Sequence, residues 1–161
     1  MAVFFKEGEL YKIASEMERS GLAFYSQVAR QAKNESTKAV YSYLITSEKR
    51  HLRKFNSLSS HSAKSSNPES YKGEYRNYLA ALLKDRVFSS SALARSRASK
   101  SSARAALETG IKAEKDSILF YSGLLDLVPK DNRKAIEIIL AEEKRHLKRL
   151  MDYKYKSGCF K

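Results

Sequence analysis

The chain has 161 residues, 42% of them hydrophobic, with one cysteine, two prolines, six glycines and a formal net charge of +13. That length suits a single domain, 1–161, with an ordinary core, and a composition led by Ala, Leu, Lys, Glu, Arg and Ser points to an all-α fold. The lone Cys159 excludes a disulfide scaffold and paired Cys-x-x-Cys metal sites, and every apolar stretch is far shorter than the roughly eighteen residues of a membrane span.

The opening Met1-Ala2-Val3-Phe4-Phe5 is too short for a secretory core and runs into Lys6 and Glu7, so the expectation is a soluble, cytoplasmic protein with no membrane partner. The first helical pattern spans about residues 7–32, where Leu10, Ile13, Met17, Phe24 and Val28 recur at three- and four-residue steps. Asn34, Glu35 and Ser36 break it. A second helix is expected from Ser36 to Ser57, with Val40, Tyr41, Leu44, Ile45, Leu52 and Phe55 on one face; the short connection makes the two antiparallel neighbours.

From Leu58 to Gly73 a mixture of Ser, His, Asn and Pro reads as loop, with His61 exposed in it, and a shorter helical pattern follows over about residues 75–88. A Ser-rich basic stretch, Lys84 to Arg104, comes next. The third long helix is expected over Ala103 to Leu127, stopping near Pro129, and the fourth from an Asp131 N-cap to about Tyr155. The architecture is thus a four-helix bundle of two antiparallel hairpins joined by a long crossover.

Two near-identical blocks carry the chemistry: Glu48-Lys49-Arg50-His51-Leu52 and Glu143-Lys144-Arg145-His146-Leu147. Each follows a Glu-x6-Tyr, Glu18 with Tyr25 and Glu114 with Tyr121. A shift of 96 positions superposes Glu18 on Glu114 and Phe24-Tyr25-Ser26 on Phe120-Tyr121-Ser122, and a shift of 95 superposes the blocks, so the hairpins are pseudo-repeats. Residues three apart on a helix share a side, so Glu48 with His51, and Glu143 with His146, can each offer an oxygen and a nitrogen to one ion. Glu18 and Glu114 lie in apolar stripes with small residues one turn away, Ala14 and Gly21, Gly110 and Ser117, which would leave room for a cofactor.

Four carboxylates in a dry interior repel one another and lose hydration, at several kcal/mol per ion. Two divalent cations would cancel them and leave both histidines neutral. The candidate metal ligands are therefore Glu18, Glu48, His51, Glu114, Glu143 and His146. Tyr25 and Tyr121, nearly two turns after their glutamates, are positioned to hydrogen-bond ligands on neighbouring helices. Oxygen and imidazole donors without thiolate suit iron or manganese, with zinc also possible. A single Glu-x-x-His on a lysine-rich helix reads as a solvated face; recurrence sets these two apart, and the rival is a duplicated bundle with a satisfied polar core. Glu142 has Ser47 as its counterpart and is discounted as a ligand. Glu16 and Glu108 read as surface charge, and the Lys-Arg pair in each block as outward-facing.

On these motifs the chain resembles the rubrerythrin and ferritin-like diiron family, over residues 8–57 and 103–155. The resemblance implies two iron ions per chain, reaction with hydrogen peroxide or dioxygen, and a homodimer. Two departures matter. One cysteine cannot supply a rubredoxin-like module, so a separate electron donor is expected. No acid stands one turn from Glu114, where that family's peroxidase site carries an extra carboxylate. The functional expectation is an oxidoreductase reducing peroxide or dioxygen at a Glu4His2 site. The alternatives are an iron-handling protein, for oxidation, storage or sensing, and a cationic interaction domain with a structural metal. For the last, Arg86, Arg95, Arg97 and Lys100 form the densest patch for an acidic partner or nucleic acid, without the aromatics of a single-strand binding surface.

Overall fold

A computed structural model describes residues 7–62, 77–78, 81–82 and 103–157. Most of the basic Ser-rich stretch, of the loop expected over Leu58 to Gly73 and of the short 75–88 helical pattern lies outside these, as does Cys159. Four long helices make up the architecture: α1 (Glu7–Gln31), α2 (Glu35–Ser62), α3 (Ala103–Leu124) and α4 (Lys130–Lys156). Among the described residues there is no strand, and no helix is long and apolar enough to cross a membrane.

Helix α1 buries Leu10, Ala14, Met17, Glu18, Gly21, Phe24 and Tyr25, one face repeated at three- and four-residue steps. Asn34 then caps α2, its side-chain oxygen accepting the Thr37 backbone N–H at 2.7 Å. Helix α2 runs five residues beyond the expected Ser57. Leu58 is buried in the core, while Ser59 and Ser60 donate their hydroxyls to the carbonyls of Gly8 and Asn56. Packing of one leucine thus outweighs a local composition that favours loop. His61 is exposed, as expected.

Helix α3 ends at Leu124, and a turn carrying the buried Leu127 and Val128 leads to α4. The N-cap of α4 is Pro129 rather than Asp131. Proline has no N–H to leave unsatisfied, and its carbonyl accepts the N–H groups of Asn132 and Arg133 at 2.9 and 3.2 Å. Asp131 sits inside the first turn, where its charge complements the positive helix end.

Helices α1 and α2 pack along their length as one hairpin and α3 and α4 as the other, with α1 against α3 and α2 against α4 joining them. Both cross-pairs are antiparallel: Tyr25 reaches Glu114 while Tyr121 reaches Glu18, and Thr37 meets Tyr153 while His51 meets Glu142. The apolar core falls into two clusters. One gathers Leu10, Met17, Phe55, Phe120, Leu124 and Ile136, and the other Phe24, Tyr41, Leu44, Leu107, Ile111 and Leu150. Between them lies a layer of buried polar side chains.

Replacing the fully buried Leu44 with alanine is expected to cost about 2–5 kcal/mol of unfolding free energy, and Asn34→Ala about 1 kcal/mol through loss of the α2 cap. Urea denaturation of both variants beside the parent chain measures the two.

Candidate metal centre

The polar layer consists of Glu18 from α1, Glu48 and His51 from α2, Glu114 from α3, and Glu143 and His146 from α4, none more than 4% exposed. All six candidate ligands are thus brought together. Their ligating atoms form two overlapping groups, Glu18, Glu48, His51 and Glu143, and Glu48, Glu114, Glu143 and His146, with the atoms of each group within 4.8 Å of one another. Glu48 and Glu143 belong to both, as bridging carboxylates would. The imidazoles of His51 and His146 lie on one side of the cage, stacked with ring centroids 5.6 Å apart.

Each of the six residues directs one buried atom inward that has no hydrogen-bond partner: Glu18 Oε2, Glu48 Oε1, His51 Nδ1, Glu114 Oε2, Glu143 Oε1 and His146 Nδ1. These atoms are close, with His51 Nδ1 at 2.8 Å from Glu143 Oε1 and His146 Nδ1 at 3.4 Å from Glu48 Oε1, yet they do not align as hydrogen bonds. They converge on shared space rather than on each other. Buried polar atoms are rarely left unsatisfied, and a set of six aimed at two common points fits two metal ions.

The outward oxygens of Glu18 and Glu114 are held by phenols. Tyr25 donates to Glu114 at 2.5 Å, and Tyr121 donates to Glu18. The space beside Gly110 is not left open for a cofactor: a Cβ there would meet the ring of Tyr25 and Leu150 at 3.4 Å. The small residue admits the tyrosine that holds Glu114. Glu16 is exposed, and Glu108 pairs with Lys154 at the surface.

Glu142, discounted from the sequence, is a functional neighbour though not part of either group. Its Oε2 lies 2.7 Å from His51 Nε2 and accepts from Ser47 Oγ at 3.2 Å and an Arg50 guanidinium nitrogen at 3.1 Å, while Arg145 approaches Oε1 at 3.6 Å. Both block arginines face solvent, as expected, and both also pair with Glu142. Its signal in the sequence was an acid directly before Glu143 on the side of α4 facing α2. An open cavity of about 450 Å³ lies against this pair, with Arg50, Lys54, Lys134 and Ile138 on its walls.

The protons on the cage follow from burial and mutual charge. Burial and then the Glu143 charge push Glu114 up to about 8, against the lowering influence of His146. Glu48 is likewise raised by burial and by the charges of Glu18 and Glu143. Burial alone would lower both histidines, but Glu143 and Glu18 lift His51 to about 11, and Glu114 and Glu143 lift His146 to about 9. Glu143 is held low in spite of burial, because both imidazoles stabilise its charge. Burial and the neighbouring glutamates keep Tyr25 and Tyr121 as neutral phenols, able to donate. Without metal, the cage approaches neutrality by holding protons.

A family model described as Rubrerythrin matches residues 9–154. The chain belongs to the rubrerythrin family. Comparison with curated proteins and with solved structures finds no significant match. Membership agrees with a ferritin-like bundle that carries a buried carboxylate and histidine cluster fit for two metals, here in a sequence with a single cysteine and thus no rubredoxin-type four-cysteine set.

The metal-free protein should lose stability as pH rises. Glu114, His146 and His51 have ordinary values of 4.5, 6.5 and 6.5, and all three are raised in the folded state. The folded chain therefore binds more protons than the unfolded one above pH 4.5. The Glu114 contribution is lost as pH rises through about 8, that of His146 through about 9 and that of His51 through about 11. Urea midpoints measured with chelator present should fall between pH 6 and pH 9. Metal uptake should strengthen over the same range and release protons, read from calorimetry in buffers of different ionisation enthalpy.

Proposed function

We propose that this chain is a non-haem diiron oxidoreductase that reduces hydrogen peroxide or dioxygen with electrons from a separate donor. The carrying observation is the set of six unpartnered buried atoms, one from each of Glu18, Glu48, His51, Glu114, Glu143 and His146. In this reading Glu18 and His51 serve one ion, Glu114 and His146 the other, and Glu48 and Glu143 both. The donor set, four carboxylates and two imidazoles with no thiolate, suits iron, and the family assignment supports the same metal.

The iron pair, when bound, supplies two electrons for cleavage of the O–O bond, which for peroxide takes up two protons and yields two waters. The chain's own residues do the rest. The apolar clusters on either side of the cage exclude bulk water, and the near-complete burial of all six side chains admits only a small oxidant. Tyr25 and Tyr121 keep a proton on each phenol, hydrogen-bonded to Glu114 and Glu18, where a proton can be delivered along the same contacts. Glu142 accepts from His51 Nε2 and so turns the Nδ1 lone pair into the cage.

One observation favours a second reading, in which the cage holds iron and turns over slowly. The ring of Tyr25 fills the space beside Gly110, next to Glu114, so no further carboxylate enters there.

Protein loaded anaerobically with ferrous iron separates the two. Under the first reading it consumes peroxide or dioxygen well above the rate of free iron, with a surrogate reductant sustaining turnover. Tyr25→Phe should keep the iron and lower the rate about 10–100-fold, whereas Glu143→Ala should fail to hold the pair. Consumption at the free-iron rate would leave only the second.

A further inference from the structure

We infer that the two metal positions are inequivalent, and that Glu142 is the positioning residue that makes the position at His51 the tighter of the two. The inference rests on the two-metal reading above and deepens it.

The hairpins repeat, but the surroundings of their histidines do not. His51 Nε2 faces Glu142 Oε2 at 2.7 Å, and its Nδ1 faces the cage, 2.8 Å from Glu143 Oε1 and 3.5 Å from Glu18 Oε2. A carboxylate on one ring nitrogen fixes the proton there, presents the other nitrogen as a lone pair, and makes it a better donor. Glu142 is itself held by Ser47 and Arg50, so the imidazole is fixed in direction as well.

The position equivalent to Glu142 in the first block is Ser47, which carries no carboxylate and donates its hydroxyl to Glu142. His146 is fully buried, and its Nε2 has no hydrogen-bond partner. Its ring is stacked on that of His51, at 5.6 Å between centroids, and meets the edge of Tyr43 at 5.8 Å. Among the described residues no carboxylate or carbonyl on Nε2 fixes which nitrogen carries the proton. The cavity beside the site has His51 and Glu142 on its wall.

The first ion should settle among Glu18, Glu48, His51 and Glu143, and the second among Glu48, Glu114, Glu143 and His146. Loss of an outer carboxylate from a metal-bound histidine weakens binding about 10–100-fold, which sets the size of the preference. Two cations sharing Glu48 and Glu143 would repel and fill in two steps even in a symmetric cage, so the number of steps carries no information. Which position fills first does.

The test is crystallographic, on the full chain given one equivalent of cobalt(II), with anomalous scattering giving the occupancy beside each histidine. The expected result is a peak at His51 about tenfold or more above that at His146. Glu142→Ala should bring the two close to equal. Equal occupancy in the parent chain overturns the inference without any variant. A parent preference that survives Glu142→Ala removes Glu142 as its cause and overturns it too. Failure of the parent chain to bind cobalt, zinc or ferrous iron at all would instead overturn the two-metal reading beneath it.

Discussion

Four glutamates enclosed by apolar side chains are the constraint on which this structure turns. Glu18, Glu48, Glu114 and Glu143 are almost wholly removed from water, and four bare negative charges at that depth would unfold a chain of this size. Positive charge has to reach them. In the metal-free chain, protons on His51, His146, Glu48 and Glu114 balance the four charges, and two divalent cations would balance them in the protons' place. The division of the core follows from the same demand. Two apolar clusters carry the cohesive energy, while the layer between them spends part of it to keep polar atoms dry and aimed.

Much of this was legible in the sequence because both the helices and the cage depend on spacing. Three- and four-residue apolar steps give the buried faces, and Glu-x-x-His at two places 95 residues apart brings an oxygen and a nitrogen to the same side of α2 and of α4. The tyrosine contacts were readable for the same reason, since a phenol nearly two turns along a helix points the same way as its glutamate. What the spacing could not convey was the interplay between helices. Glu142 stands outside both ligand groups, as the serine opposite it in the repeat implies, but a comparison built on symmetry does not reveal its contact with His51. Arg50 and Arg145 do face solvent, as their places in the blocks imply, and each also reaches Glu142.

The errors at helix ends have a different origin. Ser57 to Ser62 reads as loop by composition, but Leu58 finds the core and the serine hydroxyls bond to carbonyls, so α2 continues. At the other hairpin, Pro129 starts α4 two residues before the acid that looked like its cap. In both cases tertiary packing or backbone geometry decided between local options of similar energy.

The crossed tyrosines bear on how the two halves relate. Tyr25 secures a glutamate of the second hairpin, and Tyr121 one of the first. Neither hairpin can finish its own ligand geometry, and the segment that links them supplies none of the six side chains. The molecule is thus less a domain with a site inside it than two complementary subunits fused in tandem. Symmetric self-association of one hairpin would reproduce the same crossed contacts with identical partners. Within one chain the two copies need not be identical, and the serine opposite Glu142 is a place where they differ.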